Sequence, residues 1–369
     1  MNATFKILFV SFFVFVCHIG CKEDDSDTAP QIESTKELQL INMYDNEISV
    51  LVDDFVKQTE ALQMSILTFQ SSTTTTNLES AKTQWKNMQS VWKQLELYDL
   101  GTVAASFISF EINRWPTDPT RIEEEILGSD TINEAYVASL GSSSKGIAGI
   151  EYLLFSEQQD IASTLELFTT ETNAQRRVEY LVSVSKNLTT KSYELDTLWS
   201  ENREEFIVAL ENGISGSQNQ VINAMIALTE EIIISKLGDP LGDSNDGILD
   251  ASKFEGFSSE FSKEIIQQHL ISLRRCFTGE FTDASNQIGF DDFLLLFNSS
   301  ELVDKISMQF SICQDQLDNI QGSLEDTLIS NPDNVILLKD SFRDLLVLLK
   351  VDMANILGAI ITFNDNDGD

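Results

Sequence analysis

Apolar positions recur every three or four residues along nearly the whole of this chain. The pattern is clearest near the C-terminus, where Val335, Leu338, Phe342, Leu345, Leu349, Met353, Ile356 and Ile360 share one helical face. Asn331 suits the N-cap of that helix, Pro332 its first turn, and Asp333 the positive end of its dipole. Trp85, Met88, Trp92 and Leu95 form a second stripe, and Val178, Leu181, Val184, Leu188 and Leu195 a third. Stripes of this kind are read as core. The same period predicts helices near 36–70, 77–98, 119–127, 132–140, 145–156, 172–211, 218–237, 258–277, 290–297 and 300–328. Asp118-Pro119 starts one of them, and Gly238-Asp239-Pro240 stops another. No alternating run is long enough for a strand. Helix breakers cluster at Asn212-Gly213-Ile214-Ser215-Gly216-Ser217. The expectation is an all-α protein of two packed helical bundles with up-and-down helices, an N-terminal one over 36–214 and a C-terminal one over 215–369.

The first residues read as a targeting segment. Lys6 precedes an apolar stretch over 7–17 that is too short to span a bilayer as a helix. His18-Ile19-Gly20-Cys21 resembles a lipobox, which makes 1–20 a lipoprotein signal peptide and Cys21 the acylated first residue, anchored to a membrane. Lys22-Glu23-Asp24-Asp25 resembles the surface-export signal of Bacteroidetes-type lipoproteins, with a solvated acidic stretch as the alternative. Residues 21–35 are read as a flexible acidic tether. The location implied is the bacterial outer membrane, on the cell-surface or periplasmic side.

The formal net charge is −35, and loss of Lys6 with the leader makes it one unit more negative. Such a chain repels nucleic acid, which is excluded as a partner. With Cys17 removed and Cys21 acylated, Cys276 and Cys313 remain. A disulfide between them and two buried free thiols are both compatible with their apolar surroundings.

Residues 146–151 read Gly146-Ile147-Ala148-Gly149-Ile150-Glu151. They resemble the G-x-H-x-x-E signature of the imelysin family, with Ala148 where the family has histidine. Further stretches resemble the family in the expected order: Arg114-Trp115-Pro116; Lys236 to Gly242; Glu255-Gly256-Phe257-Ser258 on to Ser262; Gly289 to Leu294; and the acidic end, Asp365 to Asp369. The resemblance implies two helical bundles with a cleft between them, and an envelope lipoprotein often linked to iron uptake, with an iron-uptake transporter as partner. It also carries a metallopeptidase classification, as insulin-cleaving membrane protease, in which the motif histidine and glutamate are ligands or catalytic groups. The residues implied for the cleft are Gly146, Ala148, Glu151, Arg114, Trp115, Glu255, Ser258 and Ser262.

The chemistry of these residues narrows that expectation. A zinc peptidase needs about three protein ligands and a general base. The mature chain holds one histidine, His269, and Ala148 cannot bind metal. Zinc is therefore disfavoured, and no catalytic residue is assigned. Glu151 is left as a metal candidate, or as a carboxylate paired with an arginine such as Arg114. Hard cations, iron or calcium, need only carboxylates, and Glu151 with Glu255 supplies two. The turns at Asp243-Ser244-Asn245-Asp246-Gly247 and 365–369 are oxygen-rich but lack EF-hand spacing. The first expectation is a non-catalytic envelope lipoprotein that binds a ligand or metal ion between the bundles. The alternatives are an imelysin-type metallopeptidase and a structural surface scaffold.

Overall fold

A computed structural model describes residues 28–156, 160–284 and 286–362. The signal peptide, Cys21, the acidic run after it and the turn at 365–369 lie outside the described residues. Within them the protein is all-α, and the only pairing between extended segments is an isolated bridge between Phe281 and Ala284. No helix among the described residues is long and apolar enough to cross a membrane.

Helix α1 (Thr28–Met43) passes through a π-helical turn (Tyr44–Ile48) into α2 (Ser49–Ser71). The helix thus begins at Thr28, within the segment expected to be a tether. Pro30 falls in its first turn, where a missing N–H costs nothing. Next comes α3 (Thr75–Leu95), capped by the Thr74 hydroxyl and ending in a 3₁₀ turn (Glu96–Tyr98). Two short helices, α4 (Gly101–Ala105) and α5 (Ile108–Ile112), were not legible as stripes. They are followed by α6 (Pro119–Leu127), N-capped by Asp118, then by α7 (Glu134–Ala138) and α8 (Gly146–Phe155). Another short helix, α9 (Ile161–Thr169), leads to the long α10 (Ala174–Val208).

The second half starts with α11 (Ser217–Glu231), which runs into a π-helical turn (Ile232–Gly238). After a stretch of turns, α12 (Ser262–Thr278) begins later than expected, because Glu260 adopts φ +51° and interrupts the segment read as its first turn. Helix α13 (Phe290–Leu296) leads into α14 (Ser300–Asn319) and α15 (Leu324–Ser330). These last two were expected as one helix, and Gly322 at φ +81° separates them. The chain closes with α16 (Pro332–Val347), a π-helical turn (Leu348–Met353) and α17 (Ala354–Leu357).

In the first half α2 lies along both α3 and α10, and α8 packs against α3 and α10. In the second, α16 packs on α14 and on the π-turn after α11. Helix α12 lies along α3, so the halves meet over an apolar face, and one connected core runs through both. The predicted stripes are its substance: Trp85, Met88, Leu181, Val184, Leu338 and Phe342 are all inaccessible to solvent. Each such side chain contributes about 2 kcal/mol of burial. Cys276 and Cys313 are free and buried on α12 and α14, so the disulfide left open by the sequence is not formed.

Candidate functional site

The motif helix α8 is fixed at its start by backbone oxygens. Trp85 Nε1 donates to the Ile147 carbonyl at 3.0 Å, and Tyr180 Oη to the Ser144 carbonyl at 2.7 Å. Lys145, 1% exposed, donates to the Ala138 carbonyl at 2.9 Å and pairs with Glu111 at 2.8 Å. Gly146 has φ +68°, and a Cβ there would stand 2.3 Å from the Ile112 carbonyl oxygen. The first motif position therefore admits only glycine, because the helix start is pressed against the end of α5.

From this mount Ala148 and Glu151 face a cavity of about 380 Å³ whose walls include Trp115, Pro116, Phe254 and Ser258. Glu151 is buried, and its Oε1 accepts from Ser259 N at 3.1 Å and Ser259 Oγ at 2.8 Å. Burial pushes the Glu151 carboxyl up to about 7; the Ser259 donors oppose this, and the negative charges of Glu255 and Glu325 add to it. Ser259 Oγ is also 3.0 Å from the Gly256 carbonyl. One hydroxyl proton cannot fully serve both acceptors. A protonated Glu151 resolves the conflict by donating to Oγ, which frees the hydroxyl proton for Gly256.

Beyond Trp115-Pro116, a cis peptide, lies a larger cavity of about 770 Å³ between the halves. Its floor is a network of charges in which Lys93, Lys236 and Glu255 are buried, Glu96 is partly buried and Glu231 is exposed. Lys93 bonds Glu96 and Glu255, each at 2.6 Å, and Lys236 bonds Glu255 at 2.5 Å and Glu231 at 2.7 Å. Asn113 donates to Glu255 and Glu96, and Trp92 Nε1 donates to Glu96 at 2.6 Å. His269 Nε2 sits 2.9 Å from Glu96 Oε2. Burial alone would raise Glu255, but the Lys236 and Lys93 ammoniums overcome it and hold the carboxyl at about 2. Burial likewise works against Glu96, yet Lys93 and the His269 bond hold it well below the usual carboxylate range. His269 is lowered, first by burial, so its neutral form is favoured. Lys236 keeps its charge because Glu231, Glu255 and Glu96 outweigh its burial. The network thus joins helix α3 of the first half to the π-turn after α11 and to α12 of the second.

The sequence model of the Imelysin family matches residues 50–350. The chain belongs to the imelysin family. Iron-regulated protein A of Synechococcus elongatus (strain ATCC 33912 / PCC 7942 / FACHB-805) is 23% identical over 221 residues, 59% of this chain. The match spans 55% of that relative's length, about half. An imelysin-like protein from Psychrobacter arcticum 273-4 superposes with a TM-score of 0.74 at 19% identity, over 90% of this chain and 98% of that one. A putative iron-regulated protein A precursor from Parabacteroides distasonis ATCC 8503 gives 0.72 at 17% identity, over 88% and 95%. At these identities the structures establish the fold.

The imelysin residues do not fit a peptidase metal. Ala148 offers a methyl group, one Glu151 oxygen already accepts twice from Ser259, and among the described residues no three His, Cys, Asp or Glu side chains are grouped to hold an ion. Glu151 and Glu255 do not form the joint carboxylate site expected for iron or calcium, because both Glu255 oxygens are taken by lysines. Nor does Glu151 pair with Arg114, whose guanidinium lies over the Phe110 ring on the wall of the larger cavity. Asp243, in the candidate calcium turn, is engaged by Lys339 at 2.7 Å. Ser262 lines neither cavity and donates its hydroxyl to Glu325. Sequence reasoning missed Lys93 and Glu96, and it named the stretches that hold Lys236 and Ser259 without placing either residue in the site. A signal for the first two existed: positions 93 and 96 continue the stripe of Trp85, Met88, Gln89 and Trp92, where an apolar residue is the rule.

Proposed function

We propose that this imelysin is a non-catalytic envelope lipoprotein, acylated at Cys21, whose cleft between the halves binds a ligand in the service of iron acquisition. The observation that carries the reading is the pair of cavities at the junction, set over a network whose lysine–glutamate ion pairs close within the protein. Lys93, Lys236, Glu255, Glu96 and His269 are committed to one another, so the floor is rigid and its groups are spent on structure. Cavities of this size are in the range of small-molecule sites. Ala148, which stands where the resemblance implies a histidine and offers no metal ligand, supports a binding rather than a hydrolytic role. The iron link rests on the relatives named iron-regulated protein A.

The test uses the purified chain and the low-molecular-weight fraction of medium from an iron-limited culture. The fraction should raise the melting temperature of the wild type and leave Ala227→Trp, which fills the larger cavity from α11, unchanged. Denatured casein should remain intact with and without added zinc. Chelator-sensitive cleavage, or equal stabilisation of both proteins, would overturn the reading. For the anchor, Cys21→Ser should move the protein from the membrane to the soluble fraction, and an unchanged distribution would remove it.

A further inference from the structure

Arg114 differs from the other arginines of the chain. Arg121, Arg177, Arg203, Arg274, Arg275 and Arg343 each pair with a carboxylate, and Arg176 donates to the carbonyls of Ile126, Asp130 and Glu125. Among the described residues Arg114 makes neither an ion pair nor a hydrogen bond. Its guanidinium lies over the Phe110 ring, with Cζ 5.3 Å from the centroid, within cation–π range. With 59 acidic residues against 24 basic ones, a guanidinium that no oxygen engages is unusual here. Lys253, exposed on the same cavity, is also without a carboxylate partner among the described residues.

The acids of that cavity do not supply the missing partner. Glu96, Glu231 and Glu255 are held by lysines within the network, and Glu230 by Lys350 at 2.7 Å. Asp99 is raised by burial, which favours its neutral form. Asp239 accepts from Ser244 and is the remaining counterweight. The unspent positive charge therefore sits on the Arg114 side.

That side is also aromatic. Phe110 is 44% exposed and Phe107 65%, with ring centroids 6.1 Å apart. Phe107 holds a left-handed backbone, φ 59°, which costs a non-glycine residue energy and presents its ring to solvent at the end of α4. Trp115 follows Arg114 and lines the same cavity.

We propose that the larger cavity binds a planar organic anion with an aromatic ring, an aryl carboxylate. Its carboxylate is gripped by the Arg114 fork with Lys253 nearby, and its ring lies against Phe110 and Trp115. Arginine suits this task because the guanidinium can stack on one ring while its edge donates two parallel bonds to a carboxylate. At about 770 Å³ the cavity admits more than one ring, so a conjugate fits as well as the simple acid. The inference rests on the cleft being a ligand site, as proposed above, and names the ligand's chemistry.

Calorimetric titration of the purified chain tests it with 2,3-dihydroxybenzoate, cyclohexanecarboxylate and citrate. The aryl acid should bind, and the saturated ring acid and citrate should bind at least about tenfold more weakly. Arg114→Lys should weaken the aryl acid about tenfold or more, since it loses the fork and the stack. Phe110→Ala removes both the ring contact and the ring that seats Arg114, so it should weaken the aryl acid by a larger factor than citrate. Arg114 is exposed, so urea unfolding should show both variants folded. Citrate binding better than the aryl acid, or binding indifferent to Arg114, would overturn the proposal. If no acid binds but the culture fraction still stabilises the wild type and not Ala227→Trp, the anion class falls and the cleft reading stands. If neither binds, both fall.

Discussion

Replacing Glu151 by glutamine should make the protein more stable at pH 8 and leave it nearly unchanged near pH 4.5. The Glu151 carboxyl has an ordinary value of 4.5 and is pushed by burial to about 7 in the fold. Between those values the folded state holds a proton that the unfolded state has released. Stability from this group is therefore complete below about 4.5 and is lost as pH rises through about 7. The difference makes ionisation in the fold about 3 kcal/mol harder than in the open chain, less whatever water in the adjoining cavity restores. Glutamine keeps an oxygen to accept from Ser259 N and an amide N–H that can stand in for the carboxyl proton toward Oγ, and it cannot ionise, so it escapes the loss. Urea unfolding of both proteins at pH 5, 6, 7 and 8 is the assay. The stability difference should be small at pH 5 and grow to about 2–3 kcal/mol in favour of the variant at pH 8. Parallel profiles would refute the reasoning, as would a variant weaker than the wild type at pH 8. Either result would mean that Glu151 is solvated, or paired with a cation, in the folded protein.

Lys93→Met leaves Glu255 and Glu96 buried without one of their ammonium partners, and should cost about 3–5 kcal/mol in urea unfolding, partly recovered in Lys93→Met/Glu255→Gln. Gly146→Ala places a Cβ 2.3 Å from the Ile112 carbonyl oxygen at φ +68°, and should cost well over about 1 kcal/mol, seen as a lower melting temperature. Burial pushes the Cys313 thiol up to about 11 and raises Cys276 further, so neither should react with a disulfide reagent at pH 8 until the protein unfolds, and reductant should not change the mass.

The long helices were legible because their stripes are long. Val335 to Met353 on α16 and its π-turn, or Val178 to Leu195 on α10, repeat often enough to outvote local exceptions. The short helices α4, α5 and α9 were not, because a stripe of two or three positions needs a second signal, such as the Asp118-Pro119 start that marked the nine-residue α6. The start of α1 was hidden by composition: residues 28–35 are polar and contain Pro30, and what orders their continuation is packing on α10 and α11, which no local pattern reports.

The candidate site divides along the same line. Glu151, Ala148, Trp115 and Ser258 do meet in one cavity, because the motif helix and the loop after the π-turn come to the same junction. What failed was pairing at a distance. Glu151 was given Arg114 as its partner, but Ser259, 108 residues away, takes that place from the turn before α12. Glu255 was given a metal and instead holds Lys93, 162 residues away. Periodicity says which face of a helix is buried and nothing about which charge will be met there. Lys93 and Glu96 were nevertheless readable as anomalies, since two ionisable residues three apart on a stripe of Trp and Met must either break the helix packing or be neutralised by something across it. They pair with each other and, across the junction with the other half, Lys93 meets Glu255 and Glu96 meets His269, so the charges that join the halves are the same ones that help leave Glu255 unable to ligate an ion. The pairing of the two halves and the lack of a Glu151–Glu255 ion site are thus one structural fact, and it leaves Arg114, beside the Phe110 and Phe107 rings, as the cleft guanidinium that no carboxylate engages among the described residues.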